Sequence, residues 1–340
     1  MKKILAVFLG GTICCSVKNI DGEKVRDIDM DNAKSVIINN FLKYNPAYEN
    51  LGEELFHITD LGESVLSENM NVGHLVSLVN HINSFDLEEF SGIIILHGTD
   101  TLAFTASFLF EALDNINVPL FLVSGNRPPM DKLSNANSNF RNAVELIMRG
   151  ISPNVYVTYR NSDGVDRLYL GNDILQCENF SEDFRFARKE YILNENTIQN
   201  ILEMSKSFDK NERKITIKNL KQNDKKVLAI KPYTGLDYSV YNLDNISAVV
   251  HGTYHSETVC TLGDEHSIIN FAKKLKERNI PLFLSPCSGG EERYASTDSA
   301  IKTENIIPLD VTFESAYARC VLATLLGLNG KDFTLFVTKK

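Results

Sequence analysis

The sequence predicts two α/β domains, each built on a mostly parallel sheet with helices packed against it. Three observations lead there. Apolar, β-rich runs alternate with amphipathic helical patterns through most of the chain, as strands joined by helical crossovers do. The chain has 340 residues, long for one compact core and comfortable for two. The alternation breaks once, between about residues 190 and 226, where Asn, Lys and Glu dominate and the runs KNERK and KQNDKK occur. Polar stretches of that kind read as a solvated linker or an edge insertion. The expected division is residues 1–190, a linker at 191–226, and residues 227–340.

The first apolar run, residues 4–9, ends in Gly10-Gly11 and reads as a strand. A secretory or lipoprotein signal is the competing reading of MKKILAVFLGGTICC. No A-x-A site follows, and cleavage near Cys14 would remove the Gly-Gly-Thr motif, so the strand is favoured. Further strands are expected at 92–96, 119–124, 154–158, 227–230, 246–251 and 281–285. Helices are expected at 72–82, 102–113, 137–149, 266–278 and 313–328. In sheets of this type ligands bind beyond the carboxyl ends of strands. Gly10-Gly11-Thr12 and His97-Gly98-Thr99-Asp100 both fall at such ends.

A hydrophobic content of 43% places the chain among ordinary globular proteins. The net charge of −9 argues against nucleic acid or an anionic membrane as the main partner. No apolar run reaches the ~18 residues of a membrane span, so a cytoplasmic protein is expected. Cys14, Cys15, Cys177, Cys260, Cys287 and Cys320 form no C-x-x-C, and their scatter suggests reduced thiols. Cys14 and Cys15 read as small buried hydrophobes at a strand edge rather than as a redox pair.

A threonine directly after Gly-Gly at a strand end can expose its hydroxyl in a turn with free backbone N–H groups. Glycine permits the φ values of such a turn, and free N–H groups can stabilise an oxyanion. The second strand end repeats this with Thr99 and adds a carboxylate, Asp100. A hydroxyl nucleophile needs a proton acceptor within reach. Either motif alone also occurs in ordinary strand-to-turn corners. Thr101 and Thr105 read as a helix cap and a packed face.

Together the motifs resemble the asparaginase and glutaminase-asparaginase family, nearest its bacterial cytoplasmic type I branch. GGTI is followed by HGTDT after the strand-like IIIL, and Ser67-Glu68-Asn69-Met70 is similar to the family's S-x-[ND]-M turn. SGNRPP at 124–129, LYLGN at 168–172, HGTYHSETV and VTFESA follow in the family's order. The resemblance covers nearly the whole chain. It implies a larger N-terminal doubly wound mixed sheet and a smaller C-terminal parallel-sheet α/β domain. It also implies hydrolysis of the side-chain amide of asparagine or a related amino-acid amide, releasing ammonia. Thr12 would form an acyl-enzyme, Thr99 would be the second threonine, and backbone N–H groups around them, at Gly11 and Gly98, would face the substrate. Ser67 would bind the substrate α-carboxylate, and Glu68 and Asp100 its α-ammonium. Two carboxylates near one cation make an ammonium site on physical grounds too. Ser67 and Glu68 also fit a plain turn before a helix at Val72.

Three departures stand out. Where the family has a lysine after L-Y-R-G-N, this chain has Gln176, and an amide cannot accept a proton as a neutral amine does. No tyrosine lies between Thr12 and Tyr44, where the family keeps one on a lid loop. The segment from Cys14 to about Met30 carries Lys18, Lys24 and Arg26 instead, read either as a solvated face or as a contact for an extra negative charge on the substrate. The family's S-A-D-G segment reads Ser134-Asn135-Ala136-Asn137. A catalytically impaired amino-acid-binding protein is therefore the alternative, and an ammonia-supplying amidotransferase subunit ranks third. His251 and His255 are not expected to hold a metal, though His255 is a candidate interface contact. No cofactor is expected, and a homodimer or homotetramer is.

Overall fold

The computed structural model describes residues 2–113, 116–208, 217, 219–290 and 292–339. The chain divides into two compact units, Met1–Asn219 and Leu220–Lys340. The first holds strands β1 (Lys3–Gly10), β2 (Cys15–Ile20), β3 (Glu23–Ile28), β4 (Phe56–Val65), β5 (Phe90–Leu96), β6 (Leu120–Val123), β7 (Val155–Arg160), β8 (Asp166–Leu170), β9 (Ile174–Leu175), β10 (Arg185–Phe186) and β11 (Tyr191–Ile192). Its helices are α1 (Met30–Tyr44), α2 (Val72–Asn83), α3 (Leu102–Ala112), α4 (Ala136–Met148) and α5 (Ile198–Ser205). The second unit holds β12 (Lys226–Ile230), β13 (Ile246–His251), β14 (Leu282–Leu284) and β15 (Ile306–Pro308), with α6 (Ile268–Glu277), α7 (Ala295–Ile301), α8 (Phe313–Leu325) and α9 (Gly330–Thr338).

The main sheet runs β11-β8-β7-β6-β5-β1-β4. β4, β1, β5, β6 and β7 are parallel, and β8 joins antiparallel to β7 and β11. This is the mixed sheet expected. β1 and β5 are apolar and almost wholly buried, as parallel strands covered on both faces must be. Numbered by appearance, the parallel core has order 2-1-3-4-5, a doubly wound arrangement whose direction reverses at β1. The second unit has a four-stranded parallel sheet of order β12-β13-β14-β15.

Part of the segment expected as a linker carries regular structure. β11 pairs with β8, and α5 buries Ile198, Ile201 and Leu202 in the first unit's core. The apolar spacing at 198–202 outweighs the polar composition around it. The KNERK run (210–214) lies outside the described residues, and KQNDKK leads into β12.

Candidate active site

The sheet reverses direction at β1, so the crevice beyond the ends of β1 and β5 is its switch point. Those strands pair from Ile4 opposite Gly92 to Phe8 opposite Leu96, which brings their carboxyl ends side by side. Gly10 and Gly11 have φ of 136° and 73°, conformations that L side chains rarely adopt. A Cβ on Gly11 would land on the Gly98 backbone, and one on Gly98 would land on the Ser67 side chain. A Cβ on Gly10 would strike Val65. Three chain segments, at the ends of β1, β4 and β5, thus press together where only glycine fits. Thr12 begins a single 3₁₀ turn, in which the Cys14 N–H donates to Gly11 O at 2.9 Å.

Ser67 is buried and joins two of these segments. Its hydroxyl donates to Asp100 Oδ2 at 2.9 Å and accepts from the Asp100 N–H at 3.2 Å. The Thr101 hydroxyl donates to Ser67 O at 2.9 Å, so Thr101 ties two turns together and makes no side-chain cap on α3. That corrects the cap expected for it, because Ser67 O lies within its reach. Thr12 and Thr99 are half-buried, while Glu68 and Asp100 are exposed. Among the described residues, neither threonine hydroxyl has a hydrogen-bond partner, nor do the N–H groups of Thr12, Gly98 and Thr99. The Gly11 N–H does not belong with these expected donors, since it donates to Val65 O at 3.1 Å. The Ser67 hydroxyl proton is likewise engaged with Asp100, so a substrate carboxylate at Ser67 has to compete for it.

His97 braces the second turn, a role composition alone did not suggest. Its Nδ1–H donates to Gly98 O at 2.7 Å, which leaves Nε2 to accept from the Thr105 hydroxyl at 2.9 Å. Burial pushes its pKa down to about 4, so the ring is neutral. Thr105 lies on the packed face expected of it.

Gln176 comes from the short segment after β8 and reaches the same corner. Its Nε2 donates to Thr99 O at 3.0 Å, and its Oε1 accepts from the Ala103 N–H at 3.4 Å. Ala103 lies in the first turn of α3, where N–H groups lack helical acceptors. The amide therefore satisfies one backbone donor and one backbone acceptor at once. No lysine or arginine among the described residues forms an ion pair with Glu68 or Asp100. Beside Gln176, burial pushes the Cys177 thiol up to about 12, with the charges of Asp183 and Asp100 adding to it.

The segment expected as a lid loop is a hairpin. β2 and β3 pair from Cys15 opposite Ile28 to Ile20 opposite Glu23. Asp21 and Gly22 turn it with φ of 51° and 86°, as a two-residue hairpin turn requires. Lys18 pairs with Asp27 at 2.9 Å, and Arg26 donates to Asn126 O at 3.4 Å. Lys24 is exposed. Lys18 and Arg26 are thus engaged by the hairpin and its neighbour, which favours the reading of a solvated face. Asn135 Oδ1 accepts from the Asn126 N–H, Asn126 Oδ1 accepts from the Asn135 N–H, and Asn135 Nδ2 donates to Arg160 O. A carboxylate could not make that last bond.

Cys14 and Cys15 are buried free thiols; burial pushes Cys14 up to about 12, and Cys15 Sγ donates to Gly11 O. In the second unit both ring nitrogens of His251 are engaged, by Gly252 O and the Tyr238 hydroxyl, and His255 is exposed. Among the described residues no three His, Cys, Asp or Glu side chains cluster to hold a metal, and no helix is long and apolar enough to cross a membrane.

Residues 3–190, which contain this whole corner, match the family model described as asparaginase, N-terminal. The chain belongs to the asparaginase family. Over 87 residues it is 34% identical to the L-asparaginase of Thermococcus kodakarensis, covering 26% of this chain and 25% of that one. Over 183 residues it is 30% identical to a glutamyl-tRNA(Gln) amidotransferase subunit of Methanococcus maripaludis strain C7, covering 52% and 43%. The chain thus spans less than half the length of these curated relatives it matches. A crystal structure described as a probable cytoplasmic L-asparaginase from Campylobacter jejuni superposes with a TM-score of 0.71 at 17% identity, covering 100% of both chains. That likeness establishes the asparaginase fold, with the mixed sheet and the separate parallel sheet found here.

Proposed function

We propose that this asparaginase-family chain hydrolyses the side-chain amide of asparagine, or of a related amino-acid amide, through an acyl-enzyme on Thr12. The observation that carries the reading is the pair of unpartnered threonine hydroxyls at the β1/β5 switch point, beside the Ser67–Asp100 pair. Thr12 Oγ1 attacks the carbonyl carbon, and the oxyanion forms against the unpartnered N–H groups of Thr12, Gly98 and Thr99. The C–N bond breaks as the nitrogen takes up a proton and leaves as ammonia. Water then attacks the ester, releasing the acid and restoring the hydroxyl. Glu68 and Asp100, both exposed at the mouth, hold the substrate ammonium. Purified protein incubated with asparagine, glutamine and related amides should release ammonia above a Thr12→Ala control. Equal release from the two would sink the reading.

The second reading, a binding protein for amino acids, is favoured by Gln176, whose amide engages the backbone and offers no base. It predicts thermal stabilisation by asparagine or aspartate without turnover. Ammonia released only in the presence of an acceptor would instead point to the role named for the Methanococcus relative. We further place the protein in the cytoplasm, as its Campylobacter neighbour is described, and as a homodimer or homotetramer without cofactor. Sedimentation of the purified chain tests the subunit number.

A further inference from the structure

The second unit carries a strand end built like the one that presents Thr99. β5 runs into His97-Gly98-Thr99, and β13 ends in His251, followed by Gly252-Thr253. In both, the buried histidine donates Nδ1–H to the carbonyl of the following glycine, at 2.7 Å and 2.6 Å. In both, Nε2 accepts from a hydroxyl: Thr105 at 2.9 Å in the first unit, Tyr238 at 2.8 Å in the second. Burial depresses both imidazoles to about 4, so both are neutral braces. The copies differ at the threonine. The Thr253 hydroxyl donates to Pro286 O at 3.0 Å, whereas that of Thr99 has no partner among the described residues. The Thr253 hydroxyl is therefore engaged where that of Thr99 is free.

What the second strand end does offer is a cavity. About 370 Å³ opens beside the carboxyl ends of β12 and β13, lined by Tyr233, Tyr238, His251, Tyr254, Cys260 and His266 among others. That size is within the range of small-molecule sites, and the carboxyl end of a parallel sheet is where such sites form. The lining contains three tyrosines and two histidines but no carboxylate, lysine or arginine. A zwitterionic amino acid would leave both of its charges unpaired there, at a cost. Aromatic faces instead suit a flat, neutral ring. One directional group is also available: His266 donates Nδ1–H to Leu236 O at 2.7 Å, which leaves Nε2 as an acceptor.

We propose that this cavity is a second, non-catalytic binding site for a neutral planar heteroaromatic ring bearing an N–H, of purine-base or indole size. The ring lies against Tyr233 and Tyr254 and donates to His266 Nε2. The site does not depend on the function proposed for the first unit.

Cys260 gives a direct readout, because it lines the cavity and is an exposed free thiol, while Cys14, Cys15, Cys287 and Cys320 are buried. The full-length chain is alkylated with iodoacetamide, and modification of Cys260 is followed by peptide mass mapping with adenine, indole or asparagine present. Adenine or indole at millimolar concentration should slow Cys260 modification at least tenfold, and Tyr233→Ala, at a half-exposed position, should abolish that protection. Calorimetric titration with the same rings supplies a second measurement. No slowing by either ring, slowing that survives in both Tyr233→Ala and His266→Ala, or protection by asparagine alone would each overturn the proposal.

Discussion

Gln176→Lys is the most informative single change, because the contacts of the amide set its cost and the chemistry of a positioned base sets its expected gain. The glutamine amide makes two contacts, donating to Thr99 O at 3.0 Å and accepting from the Ala103 N–H at 3.4 Å. An ammonium can replace the first but not the second. The lost bond is long, and its loss costs about 1 kcal/mol. If the new side chain is charged, its position at the N-terminal turn of α3 costs roughly a further 0.3–1 kcal/mol through the helix dipole. The sum, about 1–2 kcal/mol, is small beside the ~5–15 kcal/mol of an ordinary domain. For a unit of this size it corresponds to a fall in Tm of roughly 2–8 °C. Against that stands a positioned base, worth about 10²–10⁴-fold in rate. Ammonia release at saturating asparagine should therefore rise by at least about 100-fold in kcat. The gain should grow with pH as the amine deprotonates, and it should vanish when Thr12→Ala is added. A kcat unchanged within about threefold, in a variant that melts as expected, would refute the reasoning that the amide is what limits this corner. So would an equal gain in Gln176→Ala, which would show that space rather than basicity matters.

Two further outcomes follow from the same geometry. Gly11→Ala puts a Cβ into the Gly98 backbone at a φ of 73°, so it should cost about 2–4 kcal/mol and abolish ammonia release; thermal melts and the ammonia assay both check it. His97 and His251 are buried neutral, with pKa pushed down to about 4, while an unfolded imidazole binds a proton near 6.5. The unfolded chain therefore takes up more protons between those values, and stability is lost as pH falls through that window. Urea denaturation at pH 7 and pH 5 should differ by about 2 kcal/mol for each histidine. A His97→Asn variant that keeps the full pH dependence of the first unit would contradict this.

The two glycine-threonine corners could be read from the sequence because glycine alone suits the φ of Gly10 and Gly11 and the close contacts at Gly11 and Gly98. The strand–helix alternation placed both at carboxyl ends of strands, and the pairing of β1 with β5 brings them together. Other elements gave weaker signals. In β4 only Phe56 is buried, so this edge strand shows no period of two. The β2–β3 hairpin carries the Asp21-Gly22 turn signal, but β3 is mostly charged and exposed. Helix α1 buries Ala33, Ile37, Ile38 and Phe41, a helical spacing that the asparagines and charges between them mask. The brace formed by His97 depends on Thr105, eight residues on, and no local rule reveals it. The resemblance alone singles out Gln176, as an amide where an amine was expected. That both ends of the amide meet backbone groups emerges only once the chain is folded.

This arrangement has a chemical consequence. Unpartnered N–H groups and an acidic mouth are in place, yet no titratable side chain among the described residues hydrogen-bonds Thr12 or Thr99. Attack on the carbonyl, which must shed the hydroxyl proton, and departure of the nitrogen, which must gain one, therefore both lack a side-chain partner. An aryl ester of the aspartate side chain separates these steps, because phenolate leaves without a proton. Wild-type protein should hydrolyse the ester readily and the amide slowly. The ester-to-amide ratio of kcat should fall at least tenfold in Gln176→Lys, because an amine that has taken the hydroxyl proton can return it to the departing nitrogen, a step the ester does not need. Measured initial rates on both substrates decide it. A ratio unchanged between the two proteins would mean that nitrogen departure is not the slow step, and that the base, wherever it comes from, is already present.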